Sequence, residues 1–116
     1  MKYQGSCHCG AVRYEAELDL GKPVISCNCS MCGRSGGLLA FTPATGFTLQ
    51  SGEDSLQDYL FNKHVIHHVF CTTCGIKPFA RGSMPDGTAM VAVNVRCLEG
   101  VDLEALQVNK VDGRSR

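Results

Sequence analysis

Tryptophan is absent from this chain of 116 residues, and only 7% of its residues are aromatic. A core without large rings buries little area, and a domain of this length already removes a modest share of its surface from water. Such a chain needs a cross-link of some kind. Excess charge of either sign is missing too: eleven Lys and Arg balance eleven Asp and Glu. A nucleic-acid groove or a polybasic membrane face draws on surplus positive charge, so neither nucleic acid nor a membrane surface is expected as a partner. No apolar run approaches the roughly 20 residues that a spanning helix needs. The opening MKYQGSCHCG has no apolar signal core, which points to a cytoplasmic protein. With 19% charged and 44% hydrophobic residues the chain is nevertheless a folding one. Its length suits one domain, taken as residues 1–112 with a tail over 113–116.

Long helical periodicity is also lacking. The best helical stretch is Asp102 to Leu106, one or two turns with Asp102 as N-cap. What is present is alternation. Val12, Tyr14, Ala16 and Leu18 share one face of a strand, and Arg13, Glu15 and Glu17 the other. Further strands are expected over 23–27, 37–42, 46–50, 56–62, 65–70 and 88–96. Another is expected over 76–80, at a sheet edge because it contains Pro78. In the 88–96 segment Val91, Val93 and Val95 share a face, and Met84-Pro85-Asp86-Gly87 before it reads as a turn. Thirteen glycines fall mostly between these segments. The expected class is mainly β with little helix.

The cross-link is supplied by eight cysteines. They are bunched: Cys7 and Cys9, then Cys27, Cys29 and Cys32, then Cys71 and Cys74, with Cys97 alone. Disulfide frameworks spread their cysteines along the chain and belong to oxidising compartments, whereas metal knuckles bunch them. Zinc asks for a tetrahedron of ligands with Zn–S near 2.3 Å. Two devices in this chain bring sulfurs that close. Cys7-His8-Cys9 places both side chains on one face if extended. Cys71-Thr72-Thr73-Cys74-Gly75 folds as a tight turn whose glycine supplies a positive φ. Seven clustered thiols divide most simply as four plus three. Cys7, Cys9, Cys71 and Cys74 would make a closed site that staples the N-terminal strand to one about sixty residues later. Cys27, Cys29 and Cys32 would hold a second zinc with an open position, as catalytic zincs do. Arg34, just beyond Cys32, could contact an anionic ligand there.

The segments CHCGAVRYEAE, CNCSMCGRSGG, VFCTTCGIKPFARG and VNVRCLEGVDLEAL resemble the glutathione-dependent formaldehyde-activating enzyme family, also called the CENP-V/GFA domain, over roughly residues 3–110. The resemblance implies an Mss4-like fold, several small twisted antiparallel sheets around zinc. It implies a structural zinc at Cys7, Cys9, Cys71 and Cys74, and a reactive zinc at Cys27, Cys29 and Cys32. It also implies a carbon–sulfur lyase-like activity, the addition of a thiol such as glutathione to formaldehyde or another small carbonyl. The partners would then be a small thiol and a small carbonyl.

Each reading has a plainer rival. The three-cysteine set could be a second closed site, completed by Cys97, His8, His67 or His68. Cys97, after MVAVNVR, is by default a buried hydrophobe. His67 and His68 point to opposite sides of their strand, so at most one faces a zinc. Arg34 could be a solvated loop residue. Asn94 suits a turn or a backbone hydrogen bond better than catalysis. At the level of the whole protein, the rivals to an enzyme are a zinc-stabilised binding module without chemistry and a redox-responsive thiol cluster.

Overall fold

Val12, Tyr14, Ala16 and Leu18 are all buried, on alternate positions. They form the inner face of β2 (Arg13–Glu17) and its flanks, as the alternation predicts. The computed structural model describes residues 1–28, 30–60 and 66–112. Strand β1 (Lys2–Ser6) pairs antiparallel with β2, and β2 pairs antiparallel with β5 (Phe47–Ser51), giving a three-stranded sheet.

The second sheet has seven strands. Its members are β3 (Val24–Cys27), β4 (Leu39–Pro43), β6 (Leu56–Tyr59), β7 (His67–Cys71), β8 (Phe79–Ser83), β9 (Ala89–Asn94) and β10 (Val108–Val111). They lie in the order β10, β3, β4, β9, β8, β7, β6. All neighbours are antiparallel except β10 and β3, which run parallel. The protein is therefore mainly β, as its alternation predicts, with one short helix, α1 (Ser30–Ser35), among the described residues.

Three rings join the two sheets. Tyr14 stacks on Phe47 at 5.1 Å between centroids, Phe47 meets Phe79 at 4.6 Å, and Tyr14 meets Phe79 edge-on at 5.7 Å. The Tyr14 hydroxyl donates to the Pro78 carbonyl at 3.2 Å, so its one polar atom is satisfied inside the core. Val69, Val91, Val93 and Val95 complete this core from the larger sheet.

The structure departs from the sequence reading in several places. Pro78 does not sit within an edge strand over 76–80. It precedes β8, an internal strand between β9 and β7. Proline lacks the N–H that a central strand must donate, so the ladder starts one residue later. The carbonyl of Pro78 still works, accepting from the Asn94 N–H at 3.0 Å. The expected helix at 102–106 is a single 3₁₀ turn, Leu103–Ala105, and Asp102 does cap it, accepting from the Glu104 N–H at 3.1 Å. Strands β1 and β10 were not expected, nor was α1 within the cysteine-rich segment. Strands β6 and β7, expected over 56–62 and 65–70, pair antiparallel, while residues 61–65 between them and the tail at 113–116 lie outside the described residues. Among the described residues no helix is long and apolar enough to cross a membrane.

Candidate metal centre

Cys7 leaves β1 and enters a tight turn. The Gly10 N–H donates to the Cys7 carbonyl at 3.3 Å, and Val12 N–H reaches the Cys7 sulfur at 3.4 Å. Cys7-His8-Cys9 is therefore a turn and not the extended pair that the sequence reading assumed. Gly10, at φ 81°, closes it. The second knuckle has the same build. Cys71 ends β7, the Gly75 N–H donates to its carbonyl at 2.8 Å, and Gly75 sits at φ 78°. An L side chain at that φ is strained, which is why glycine follows each pair.

The two knuckles meet. The Cys7 and Cys9 sulfurs are 3.6 Å apart, and Cys9 and Cys71 are 3.7 Å apart across 62 residues of sequence. All four sulfurs of Cys7, Cys9, Cys71 and Cys74 lie within 4.8 Å of one another. A tetrahedral zinc with thiolate ligands has sulfur–sulfur edges of about 3.8 Å. The donor set and its spacing thus fit such an ion. Cys7 and Cys71 are buried, Cys74 is half-buried and Cys9 is exposed.

The surroundings already favour thiolate at two of the four. Cys74 is lowered to about 6, first by the Ile76 N–H and then by the Cys9 N–H. Cys71 is lowered chiefly by the Cys74 N–H. Cys9 is raised to about 11: the Ala11 N–H opposes this, but loss of hydration and the neighbouring thiols outweigh it. Such a cluster resists full ionisation without a cation, and a soft divalent ion relieves that.

Of the three-cysteine set, Cys29 lies outside the described residues. Cys27 ends β3, paired with Val111 of β10, and the Asn28 N–H donates to the Val111 carbonyl at 3.1 Å. Cys32 is buried on α1, whose end is closed by the Gly36 N–H on the Cys32 carbonyl at 2.9 Å. Of the alternative ligands, His8 is exposed, and His67 Nδ1 pairs with Asp58 Oδ2 at 3.0 Å. Cys97 is half-buried and raised to about 11, by burial first and then by the charges of Cys7 and Cys74. Its electrostatic neighbours are therefore members of the four-cysteine cluster. Asn94 has a backbone role: its side chain accepts from the Arg96 N–H at 3.1 Å and donates to the Lys77 carbonyl at 3.0 Å.

Helix α1 forms one wall of a cleft of about 660 Å³, through Ser30, Met31, Arg34 and Ser35. Strand register explains another part of the lining. Phe41, Ala92, Ala80, His68 and Tyr59 are successive cross-strand partners, so they share one face of the larger sheet. Their neighbours Val93, Phe79 and Val69 point the other way, into the core. Tyr59 and His68 line the cleft from this face, with Phe70, Gly75 and Lys77. His68 is buried, and burial first and the Lys77 charge second lower it to about 4, so its imidazole is neutral near pH 7. Arg34, the expected anion contact, lines the cleft too, with its guanidinium donating to the Ser30 carbonyl at 2.9 Å. Sequence reasoning gave no role to Lys77 or Tyr59. The one signal for Lys77 was its place just after the Cys71–Gly75 knuckle.

Two comparisons bear on this arrangement. The family model described as "glutathione-dependent formaldehyde-activating enzyme" matches residues 2–109. The crystal structure of a Rhodobacter sphaeroides protein superposes with a TM-score of 0.79 at 33% sequence identity, covering 94% of this chain and all of that one.

Proposed function

The chain belongs to the glutathione-dependent formaldehyde-activating enzyme family, and from that premise we propose that it is a zinc-dependent, carbon–sulfur lyase-like enzyme adding a small thiol to formaldehyde or another small carbonyl. The observation that carries the reading is the cleft beside the three-cysteine segment. Its wall is the helix that holds Cys32, and Ser30 and Met31 follow Cys29 directly. A four-cysteine zinc at Cys7, Cys9, Cys71 and Cys74 is the structural one in this reading. A second zinc in this reading belongs to Cys27, Cys29 and Cys32, a three-thiol set that would leave a coordination position for a substrate. When bound there, zinc supplies acidification of an incoming thiol.

The reaction is an addition and needs no redox partner. The S–H bond of the thiol breaks and a C–S bond forms to the carbonyl carbon. The carbonyl π bond becomes a lone pair on oxygen, and a proton ends there as a hydroxyl. Residues of the chain position the reactants. β3 and α1 hold Cys27 and Cys32, Arg34 offers donors to an anionic group, and His68 stays neutral in the cleft wall. The ligand thiols belong in a reducing compartment, consistent with a cytoplasmic protein. The test is NMR exchange between free formaldehyde and its thiol adduct, on protein whose zinc content has been measured. Two zincs per chain and exchange faster than the uncatalysed rate are expected. Loaded protein that accelerates exchange with no thiol refutes the activity.

A further inference from the structure

Strand register sets two rows of side chains next to each other on one face of the larger sheet. Phe41, Ala92, Ala80, His68 and Tyr59 form the first row. Pro43, Met90, Gly82 and Ile66 form the second: Pro43 pairs with Met90, Met90 with Gly82, and a Cβ on Gly82 would lie 3.7 Å from the Ile66 side chain. Neither row contains Asp, Glu, Lys or Arg. Its large side chains stand out into solvent, with Phe41 54%, Ile66 51% and Tyr59 50% exposed. Between them the middle strands β9 and β8 contribute Ala92, Ala80 and Gly82. The face is therefore a shallow apolar trough with Phe41 along one side and Ile66 and Tyr59 along the other. A half-exposed aromatic ring leaves about 100 Å² open to water, and the two rows together leave on the order of 400 Å² of apolar surface open, a size at which contiguous patches serve interactions.

The occupant that fits this face is a second copy of the chain. A contact about a two-fold axis sets one patch against itself, so any charge within it would meet its like. These two rows hold no acidic or basic chain to do so. The whole chain has a formal charge of zero, and two copies approach without net repulsion. A trough between raised sides is also a shape that can interlock with its own copy. Two such faces would remove about 800 Å² of apolar surface from water, which at the roughly 65% apolar share of homodimer interfaces corresponds to about 1,200 Å² in all, the lower bound for a specific, stable contact. The two edges of the larger sheet are less suited to pairing, since edge strand β6 presents exposed Asp58 and edge strand β10 exposed Lys110. We propose that this face is a homodimer interface, through which two copies pack sheet on sheet about a two-fold axis.

The test is sedimentation equilibrium of the zinc-loaded protein in reductant over about 1–500 µM, a range that spans the affinity of a contact near the lower size bound. The mass should rise from one chain to two and stop there, because a two-fold contact closes. Phe41→Glu places a charge on the face of each copy and should raise the dissociation constant roughly tenfold or more. Val108→Glu is the control. Val108 is 42% exposed, but it lies on β10, where the register of Asn109 with Ile25 and of Ile25 with Leu39 puts it on the opposite side of the sheet from Phe41. That variant should dimerise as the wild type does. Thermal unfolding verifies that both variants fold. A second measurement needs no variant: on dilution of the wild type, the Met90 and Ala92 methyl resonances should shift while those of Val108 stay. A single-chain mass throughout the range overturns the proposal and leaves the face to a different partner. A mass beyond two chains overturns it as well, as do equal effects of the two substitutions, or methyl shifts at Val108 and not at Met90 and Ala92.

Discussion

Removing the metal from the four-cysteine centre should cost this protein a large share of its stability. The sulfurs of Cys9 and Cys71 meet across 62 residues, more than half of the chain. Closing a loop of that length removes entropy from the unfolded chain worth about 4 kcal/mol. A small domain holds about 5–15 kcal/mol in total, and this one has no Trp and few rings to raise that figure. The thiols left behind are also not neutral bystanders: three like groups crowd Cys9, whose thiol is raised to about 11 when no cation is present. A loss of about 4 kcal/mol lowers the midpoint of a domain near this size by roughly 15 °C or more. The assay is thermal unfolding followed by tyrosine fluorescence, since Tyr14 lies in the core between the two sheets. It is run on zinc-loaded protein, on chelated protein and on Cys9→Ser, with metal content measured for each. Chelation strips every zinc, whereas Cys9→Ser breaks only the four-cysteine set. Both should fall together. If the metal-free protein and the variant melt within a few degrees of the loaded wild type, the staple is not what holds the sheets in register.

Two further outcomes follow from particular contacts. A Cβ added at Gly5 would run into the Tyr14 ring, 2.6 Å from its hydroxyl oxygen and 2.7 Å from Cε2. Gly5→Ala should therefore cost about 1–3 kcal/mol in denaturant midpoint, and most of that loss should be absent when Tyr14→Leu has already removed the ring. The second concerns pH. His68 titrates at about 4 in the folded protein against an ordinary value of 6.5. The unfolded chain therefore binds the extra proton first, and stability from this group is full above pH 6.5 and is lost as pH falls toward 4. His68→Gln should flatten the stability profile between those limits relative to wild type, and an unchanged slope would remove burial of His68 as its cause.

The parts legible in the sequence were those governed by local rules. The period-two burial of Val12, Tyr14, Ala16 and Leu18, and of Val91, Val93 and Val95, followed directly from side-chain alternation. The four-cysteine centre was legible because ligand spacing is a covalent constraint, and each knuckle carries its glycine. Strand β10 was not legible. It is exposed along most of its length, so it shows little apolar alternation, and its parallel pairing with β3 is decided by the distant Val24 to Cys27 segment. Helix α1 was hidden because it is six residues long, with one buried side chain, Cys32. The cleft was hidden for a related reason. Its wall depends on the register that sets His68 opposite Ala80 and Tyr59, which no single segment encodes.

Sequence distance also fits the division proposed above, in which one cysteine set serves as scaffold and the other as the reactive centre. Cys27, Cys29 and Cys32 are six positions end to end, so a metal there closes a loop worth about 2 kcal/mol less than the 62-residue one. The ends of that segment are also tied into the fold by backbone hydrogen bonds. Cys27 is held in the β10–β3 ladder, and the turn of α1 is closed on the Cys32 carbonyl by Gly36. The fold therefore has little to lose when ligands there exchange, and much to lose when they exchange at Cys9 and Cys71. A centre that bound and released a thiol in every cycle, as proposed above, would tolerate such exchange only where topology does not depend on it. The cleft opens beside the local set, Arg34 lying two residues beyond Cys32. The long-range set sits at the junction of β1 and β7, with Cys7 and Cys71 buried in the core cluster. In the proposed reaction, exchange of ligands would then proceed at the cleft while the sheets stay pinned.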